Sequence, residues 1–310
     1  MSALPQEIQH DRTRFIGGSD TAAILRISHW KSDFTAYQEK TGEYQEEVTP
    51  AKQKIFNRGK RWEPIVIEML VDELEDRGHD VQIITRNQRY VDPVHSFLAA
   101  EIDLELMIDG EYHNGEMKTV HPFAAKDWGE PGTDEIPIYY VAQVLHGQMV
   151  TGRNKTIVAA LIGADDLRVH QVNRDDEIIQ IIREKEIEFW DQVQRRDPPE
   201  PTTLDDILRL YSRDSGEAIE ANDELLDLID EMKVVKQALK NSEAAETRLK
   251  IMIGKIVKTA SVAISNGKPV LTWKSHSTDR LDVETIKTQA PGIYKQYLKT
   301  SDSRVLRLKK

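Results

Sequence analysis

The chain has 310 residues, of which 39% are hydrophobic and 31% charged, a composition typical of a globular protein with a packed core. It contains no cysteine, which excludes disulfides, thiolate zinc sites and iron–sulfur clusters and fits a reducing cytoplasm. No apolar run reaches the ~18 residues needed to cross a bilayer, and the polar start lacks the apolar stretch of a signal peptide. We therefore expect a cytoplasmic protein without a membrane partner.

The charge is distributed unevenly. The net charge is −11, yet residues 260–310 carry +6, which leaves −17 on the rest of the chain. Proteins that bind duplex nucleic acid usually show a basic footprint, so the acidic balance argues weakly against DNA. A basic groove beside a metal site would still allow DNA binding, and the charge alone does not decide the function.

Helical and extended patterns alternate up to about residue 200. Two extended segments flank the turn residues Asp109-Gly110 and predict a β-hairpin. The other segments are assigned by apolar spacing of three or four residues for helices and of two for strands. The predicted helices are 33–40, 51–77, 138–151 and one capped by Asp175 or Asp176, and the predicted strands are 81–85, 97–107, 113–120, 155–162 and 167–172.

A proline-rich segment, 197–201, follows and predicts a domain boundary, because proline fixes φ and removes amide donors. Beyond it, 222–259 has the three-and-four spacing of a coiled-coil-like helix, and Asn266-Gly267 predicts a small hairpin. The order of these segments along the chain predicts an α/β core over 1–200, in which helices flank a mixed sheet. A helical arm over 201–260 and a small basic extension over 261–310 would follow.

Three residues on the predicted hairpin suggest chemistry. Glu116 and Lys118 are two apart and share one face of a strand, and Asp103 lies on the neighbouring strand. Two carboxylates form an oxygen site suited to Mg²⁺ or Mn²⁺. A lysine beside them would deprotonate or orient a water and stabilise developing charge on phosphorus. The alternative is that these are solvated surface charges, but the apolar neighbours of Asp103 favour a compensated site.

Five short blocks, in this order, resemble the phage lambda exonuclease family and in particular its YqaJ-type viral recombinase branch. The resemblance implies the PD-(D/E)xK nuclease fold and covers roughly residues 12–200. The blocks are Gly17–Leu25 with Ser28–Lys31, Arg58–Pro64, Leu98–Asp103, Gly115–Thr119 and Tyr139–Val144.

The resemblance implies a role for each matching residue. Asp103, Glu116 and the backbone carbonyl of Met117 would bind Mg²⁺ or Mn²⁺, and Lys118 would serve the nucleophilic water. Glu63 would contact the metal or its waters. Gln143 and Tyr140 would brace the site and the DNA backbone. Arg12 and Ser19 would bind a terminal 5′-phosphate. Ser19 is also a candidate helix N-cap.

The sequence departs from the family at two places. The family's Pro-Asp-Gly motif is Ile102-Asp103-Leu104 here, so the strand either turns differently or continues past Asp103. Glu101 stands where the lambda enzyme has a phosphate-binding serine, and a carboxylate there would repel phosphate unless it turns away. The first departure affects the turn and the second affects end recognition.

The resemblance implies an exonuclease that degrades the 5′ strand of linear duplex DNA and leaves 3′ overhangs for phage-type recombination. Its partners would be DNA ends, a single-strand annealing protein and further copies of the chain, as a trimeric ring. Phage or prophage origin and action in a bacterial host follow from the same resemblance. Two alternatives stay open: a structure-specific endonuclease of the same fold, and a non-catalytic DNA- or partner-binding scaffold.

Other polar and aromatic residues receive weaker assignments. His121 and His146 are candidates for a metal ligand or a proton shuttle, although a site for a hard metal needs no imidazole. Trp30, Trp128 and Trp190 are candidates for base stacking. For Trp30 and Trp190 we expect packing in the core instead.

Overall fold

The computed structural model describes residues 11–300 and 303–309, so Ser301, Asp302 and Lys310 of the predicted basic extension lie outside the described residues. The chain divides into two compact units, the first ending at Ile207 and the second beginning at Leu208. The first unit runs past the predicted boundary at residue 200 because Asp206 accepts hydrogen bonds from Ser32 at 2.7 Å and Thr35 at 3.1 Å. The separation of 201–260 from 261–310 remains a prediction.

The first unit contains a five-stranded mixed sheet with its strands in sequence order. All neighbouring strands are antiparallel except the third and fourth, which are parallel. The predicted α/β core with a mixed sheet is therefore confirmed. The strands are β1 Val81–Val91, β2 Ala99–Ile108, β3 Glu111–Val120, β4 Lys155–Ile162 and β5 Asp166–Asn173.

Helices cover both faces of this sheet, and each predicted helix of the core is present. None of the helices in the described residues combines the length and apolar character required to cross a membrane. The 3₁₀ turns are at Arg12–Arg14 and Pro122–Asp127. Taking both units together, the helices of the described residues are α1 Gly18–Ile24, α2 Asp33–Thr41, α3 Pro50–Asp76, α4 Ile138–Thr151, α5 Asp176–Arg195, α6 Leu204–Leu210, α7 Asp223–Val257, α8 Val283–Gln289 and α9 Pro291–Tyr297.

Two apolar cores, one on each face, fix the order of the layers. The interior strand β4 is buried on both sides, with Val158 facing one core and Ile157 the other. On one face α3 packs through Val66, Ile67 and Leu70. On the other face α1, α2, α4 and α5 share the second core. Burial on both faces explains why β4 reads as an unbroken apolar run.

Local sequence signals account for several element ends. Asp109 and Gly110 both have positive φ, 51° and 84°, which is the backbone a two-residue hairpin turn needs. The side chain of Asp175 accepts from the amide of Ile178 and caps α5, as predicted. The first strand is longer than predicted, because residue 86 and residues 88–91 also pair with β2 although their side chains are mostly exposed.

The second unit consists of α7, a two-stranded hairpin (β6 Val262–Ser265 and β7 Lys268–Thr272) and two short helices. The hairpin is confirmed, with Asn266 and Gly267 at φ 49° and 77°. No residue of α7 is buried, so its apolar stripe is not covered within this unit. A Cβ at Gly254 would lie 3.0 Å from the ring of Trp273, which shows that this tryptophan packs on α7.

Candidate active site

The site begins where β2 and β3 separate. Their ladder ends at the pair Leu104 and Gly115, after which β3 pairs only with β4. The amide of Met117 then donates to Oδ2 of Asp103 at 2.9 Å, so a side chain takes the place of the next backbone acceptor. The strand continues through Asp103, which accounts for the missing proline and glycine of the family motif.

Glu116 and Lys118 lie on one face of β3, as predicted, and meet Gln143 from α4. Lys118 Nζ donates to Glu116 Oε1 at 2.5 Å, and Gln143 Nε2 donates to the same oxygen at 2.6 Å. Lys118 Nζ also lies 3.3 Å from Gln143 Oε1. The three side chains therefore hold one another in a fixed arrangement beside Asp103.

The electrostatics of the site disfavour the ionised form of Asp103. Burial and the neighbouring charge of Glu116 raise the pKa of Asp103 to about 8, against the opposing effect of Lys118. Burial alone would lower the pKa of Lys118, but Glu116 and Asp103 outweigh it and the pKa is raised. Lys118 is therefore an ammonium group at neutral pH, in contact with a carboxylate.

Glu63 projects from α3 and accepts a hydrogen bond of 3.1 Å from Asn87 Nδ2. Its charge contributes to the raised pKa of Asp103, so the two carboxylates act on each other. Across residues 11–300 and 303–309, no three Asp, Glu or His side chains gather around a single point. The role of Glu63 at a metal therefore stays a prediction.

Arg12 and Ser19 line the same cleft as Asp103 and Glu116, a space of about 210 Å³. The guanidinium of Arg12 donates to Ser19 Oγ at 2.7 Å. Ser19 is not the N-cap of α1, because the helix begins at Gly18 and Gly17 is the capping residue. The structure thus brings the two predicted phosphate-binding side chains together and places them beside the carboxylates.

Asp20 is a buried carboxylate that the sequence did not indicate, and it pairs with three cations, one of which is Arg12. Asp20 contacts Arg12 at 3.1 Å, Lys31 at 2.9 Å and Lys40 at 2.7 Å. Burial would raise the pKa of Asp20, but the three cations hold it well below its usual range. The partners lie 8 to 20 residues away in sequence, so no local pattern indicates the cluster.

Glu101 also lines the cleft, and it is paired. Arg89 on β1 lies opposite Glu101 in the ladder and donates to it at 3.2 Å. The Arg89 guanidinium lies 4.0 Å from the ring centroid of Phe15. The carboxylate at the family's serine position is therefore compensated by Arg89.

His146 is structural. It is fully buried, with Nδ1 2.8 Å from Glu186 Oε1 and Nε2 3.0 Å from the carbonyl of Ala99. Thr21 donates to the same glutamate at 2.6 Å, so α1, α4 and α5 are joined behind the cleft. His121 accepts from the amide of Phe123 and caps a 3₁₀ turn.

The tryptophan predictions were partly wrong. Trp30 is 69% exposed, although we expected it in the core. Trp128 is buried against Tyr140, at 5.6 Å between ring centroids. Trp190 stacks on Phe97 at 5.1 Å and packs against the core as predicted. Trp30 sits in a short loop after α1, where helical spacing gives no information about burial.

Comparison with known proteins gives the following relatives. The chain is 28% identical over 302 residues to the uncharacterized protein YqaJ of Bacillus subtilis strain 168, covering 95% of this chain and 91% of that protein. An alkaline exonuclease structure from Laribacter hongkongensis is 17% identical, with a TM-score of 0.46, covering 60% of this chain and 91% of that chain. A phage related exonuclease structure from Haemophilus somnus 129PT is 15% identical, with a TM-score of 0.38, covering 59% of this chain and 96% of that chain.

One segment of the chain matches a domain family model, and this segment contains the motifs on which the resemblance in the sequence was based. The matched segment includes Arg12, Ser19, Asp103, Glu116 and Lys118, together with the helix that carries Gln143. Residues 7–154 match the YqaJ-like viral recombinase domain, and over this segment the chain is similar to that domain family.

Proposed function

We propose that this protein is a divalent-metal-dependent exonuclease that acts on linear duplex DNA. The observation that carries the proposal is the convergence of Asp103, Glu116, Lys118 and Gln143 at one point of the sheet. Paired carboxylates beside an ammonium group suit phosphodiester hydrolysis. The similarity of residues 7–154 to a viral recombinase domain supports DNA as the substrate.

The donor chemistry of the site fits a hard cation such as Mg²⁺ or Mn²⁺. Asp103 and Glu116 supply carboxylate oxygens, and burial, together with their repulsion, raises the pKa of Asp103 to about 8. A divalent ion would relieve this repulsion. The residues that would hold it are Asp103, Glu116, the carbonyl of Met117 and Glu63. When bound, the ion would polarise the scissile phosphate.

Lys118 acts as a cation in this proposal. Its raised pKa keeps the ammonium charged, which favours orientation of the attacking water and stabilisation of charge on phosphorus over proton abstraction. Gln143 keeps both Lys118 and Glu116 in position through its amide. Tyr140 places its ring 4.7 Å from Lys118 Nζ and limits the directions that the ammonium group can take.

The finer features of the proposal rest on the resemblance of the motifs. Arg12 and Ser19 would bind the 5′-phosphate of a DNA end, which gives 5′ to 3′ degradation and a 3′ overhang. A single-strand annealing protein would then bind the overhang. The chain would act as a homo-oligomer, a trimer by the same resemblance, within the cytoplasm of a bacterial host.

The decisive experiment compares linear 5′-phosphorylated duplex with covalently closed circular DNA, each with Mg²⁺ and with EDTA. We expect metal-dependent loss of the linear substrate only, with 5′ label released first. Lys118→Ala should abolish digestion, whereas Lys126→Ala, which removes an exposed lysine nearby in sequence, should not. Undiminished digestion by Lys118→Ala would overturn the mechanism, and cleavage of the circle would identify an endonuclease.

A further inference from the structure

A partly exposed aromatic cluster lies next to the candidate active site. It consists of His29, Trp30, Tyr139 and Tyr140. Trp30 lies 4.5 Å from Tyr139 and Tyr139 lies 4.6 Å from Tyr140, measured between ring centroids. His29 contacts Tyr139 at 5.6 Å. The loop after α1 and the first turn of α4 therefore contact each other through these rings.

The cluster reaches the reacting lysine. The ring centroid of Tyr140 lies 4.7 Å from Lys118 Nζ and 6.5 Å from the Trp30 ring. Tyr140 therefore contacts the reacting centre on one side and the exposed indole on the other. A nucleotide with its phosphate near Lys118 would have its base within reach of these rings.

The geometry leaves the indole open to a ligand. Trp30 and Tyr139 are inclined at 78°, so the two rings do not cover each other face to face, and 69% of Trp30 is accessible. An accessible indole beside other aromatic rings offers a nucleobase a surface on which it can stack. The surrounding tyrosine rings hold the indole in place and reduce the entropy that a ligand would otherwise have to remove.

We infer that Trp30, supported by Tyr139, is a stacking site for an unpaired nucleobase of the strand that enters the reacting centre. This inference rests on the proposed nuclease function. An unpaired or terminal base is the suitable ligand, because bases inside a duplex already have both faces covered by their neighbours. Every base has a π-face, so the site would bind DNA with little sequence preference.

The test measures binding without turnover. Anisotropy of a labelled oligothymidylate with EDTA present gives the dissociation constant for the full-length chain and its variants. Trp30→Ala should weaken binding about tenfold, and Trp30→Phe should recover most of the affinity. An abasic oligonucleotide of equal length and charge should bind wild type and Trp30→Ala equally. The inference would be overturned if wild type and Trp30→Ala bound oligothymidylate with equal affinity. It would also be overturned if Trp30→Ala weakened binding of the abasic strand as much as binding of oligothymidylate.

Tryptophan fluorescence gives a second readout with a matched control. Oligothymidylate should quench wild-type emission, and Trp30→Phe should remove most of that quenching. Trp273→Phe removes another exposed indole, 48% accessible in the second unit, and should leave the quenching intact. Quenching lost in Trp273→Phe and kept in Trp30→Phe would contradict the inference. Failure of wild type to cleave duplex, with Trp30-dependent base binding retained, would reject the nuclease proposal alone.

Discussion

The amide nitrogen of Met117 donates to Oδ2 of Asp103 across a distance of 2.9 Å, at the point where β2 and β3 stop pairing. This bond anchors the carboxylate to the backbone of the strand that carries Glu116 and Lys118. It stabilises the charged form of Asp103, yet burial and Glu116 dominate and raise its pKa to about 8. Without a bound cation, the site is therefore destabilised when fully ionised.

Removing the charge of Asp103 should change how metal-free protein responds to pH. The carboxyl has a pKa near 3.9 when unfolded and about 8 when folded. Its stabilising contribution is present below the unfolded value and is lost as pH rises to about 8. Asp103→Asn keeps an acceptor for Met117 but does not ionise. Thermal unfolding in EDTA should show wild type losing stability relative to Asp103→Asn between about pH 4 and 8; parallel profiles would contradict this.

Gln143 should contribute to turnover by positioning Glu116 and Lys118. Gln143→Ala removes both hydrogen bonds and leaves the lysine and the carboxylate without a fixed distance to α4. We expect kcat to fall about 10²-fold with a smaller change in KM, because misplacement affects the reaction more than binding. Gln180→Ala, on exposed α5 surface, is the control. An unchanged kcat in Gln143→Ala would remove Gln143 from the site.

If the proposed exonuclease activity is present, Glu101 should determine how strongly the protein prefers a 5′-phosphate. Its charge lines the cleft beside Arg12 and occupies Arg89 at 3.2 Å. Glu101→Ser removes a repulsive carboxylate and frees that guanidinium for a phosphate. The ratio of rates on 5′-phosphorylated and 5′-hydroxyl ends should rise about tenfold. A ratio that stays the same would show that the terminal phosphate binds elsewhere.

The buried pair of His146 and Glu186 should be important for stability. Glu186→Gln should lower the free energy of unfolding by about 3–5 kcal/mol, since it leaves a buried imidazolium without its counter-charge. Burial lowers the pKa of His146, but Glu186 outweighs it and the pKa is raised. The pair's contribution is therefore present below about pH 6.5 and lost as pH rises through the raised value. Urea unfolding checks this, with exposed Glu188→Gln expected near wild type.

The first unit should fold without the second. Both apolar cores consist of residues before Ile207. A chain ending at Ile207 should unfold cooperatively and bind Mn²⁺ in calorimetry as the full chain does. Its mass in solution, compared with that of the full chain, tests whether the uncovered stripe of α7 contributes to a homo-oligomer. Loss of cooperative unfolding would show that the core depends on the second unit.

The sequence predicted elements whose signal is local. Two extended segments on either side of an Asp-Gly turn were sufficient to predict the hairpin of β2 and β3. The two-residue spacing of Glu116 and Lys118 was sufficient to place their side chains on one face of β3. The Asp20 cation cluster and the pairing of Arg89 with Glu101 were missed, because they join residues that are distant in sequence. The exposure of Trp30 was predicted wrongly since hydrophobicity alone says nothing about a loop residue.

The split between β2 and β3 also restricts how the chain can vary in length. Residues 111–115 are all paired with β2, and a tight turn precedes them, so no unpaired residue before Glu116 in this strand could absorb a change in length. One residue inserted or deleted there would exchange strand faces, so that Met117 and Thr119 would enter the cleft and the acid and amine would point into the α3 layer. Functional variants of this hairpin should therefore gain or lose residues in pairs, or tolerate single changes only where a bulge absorbs them.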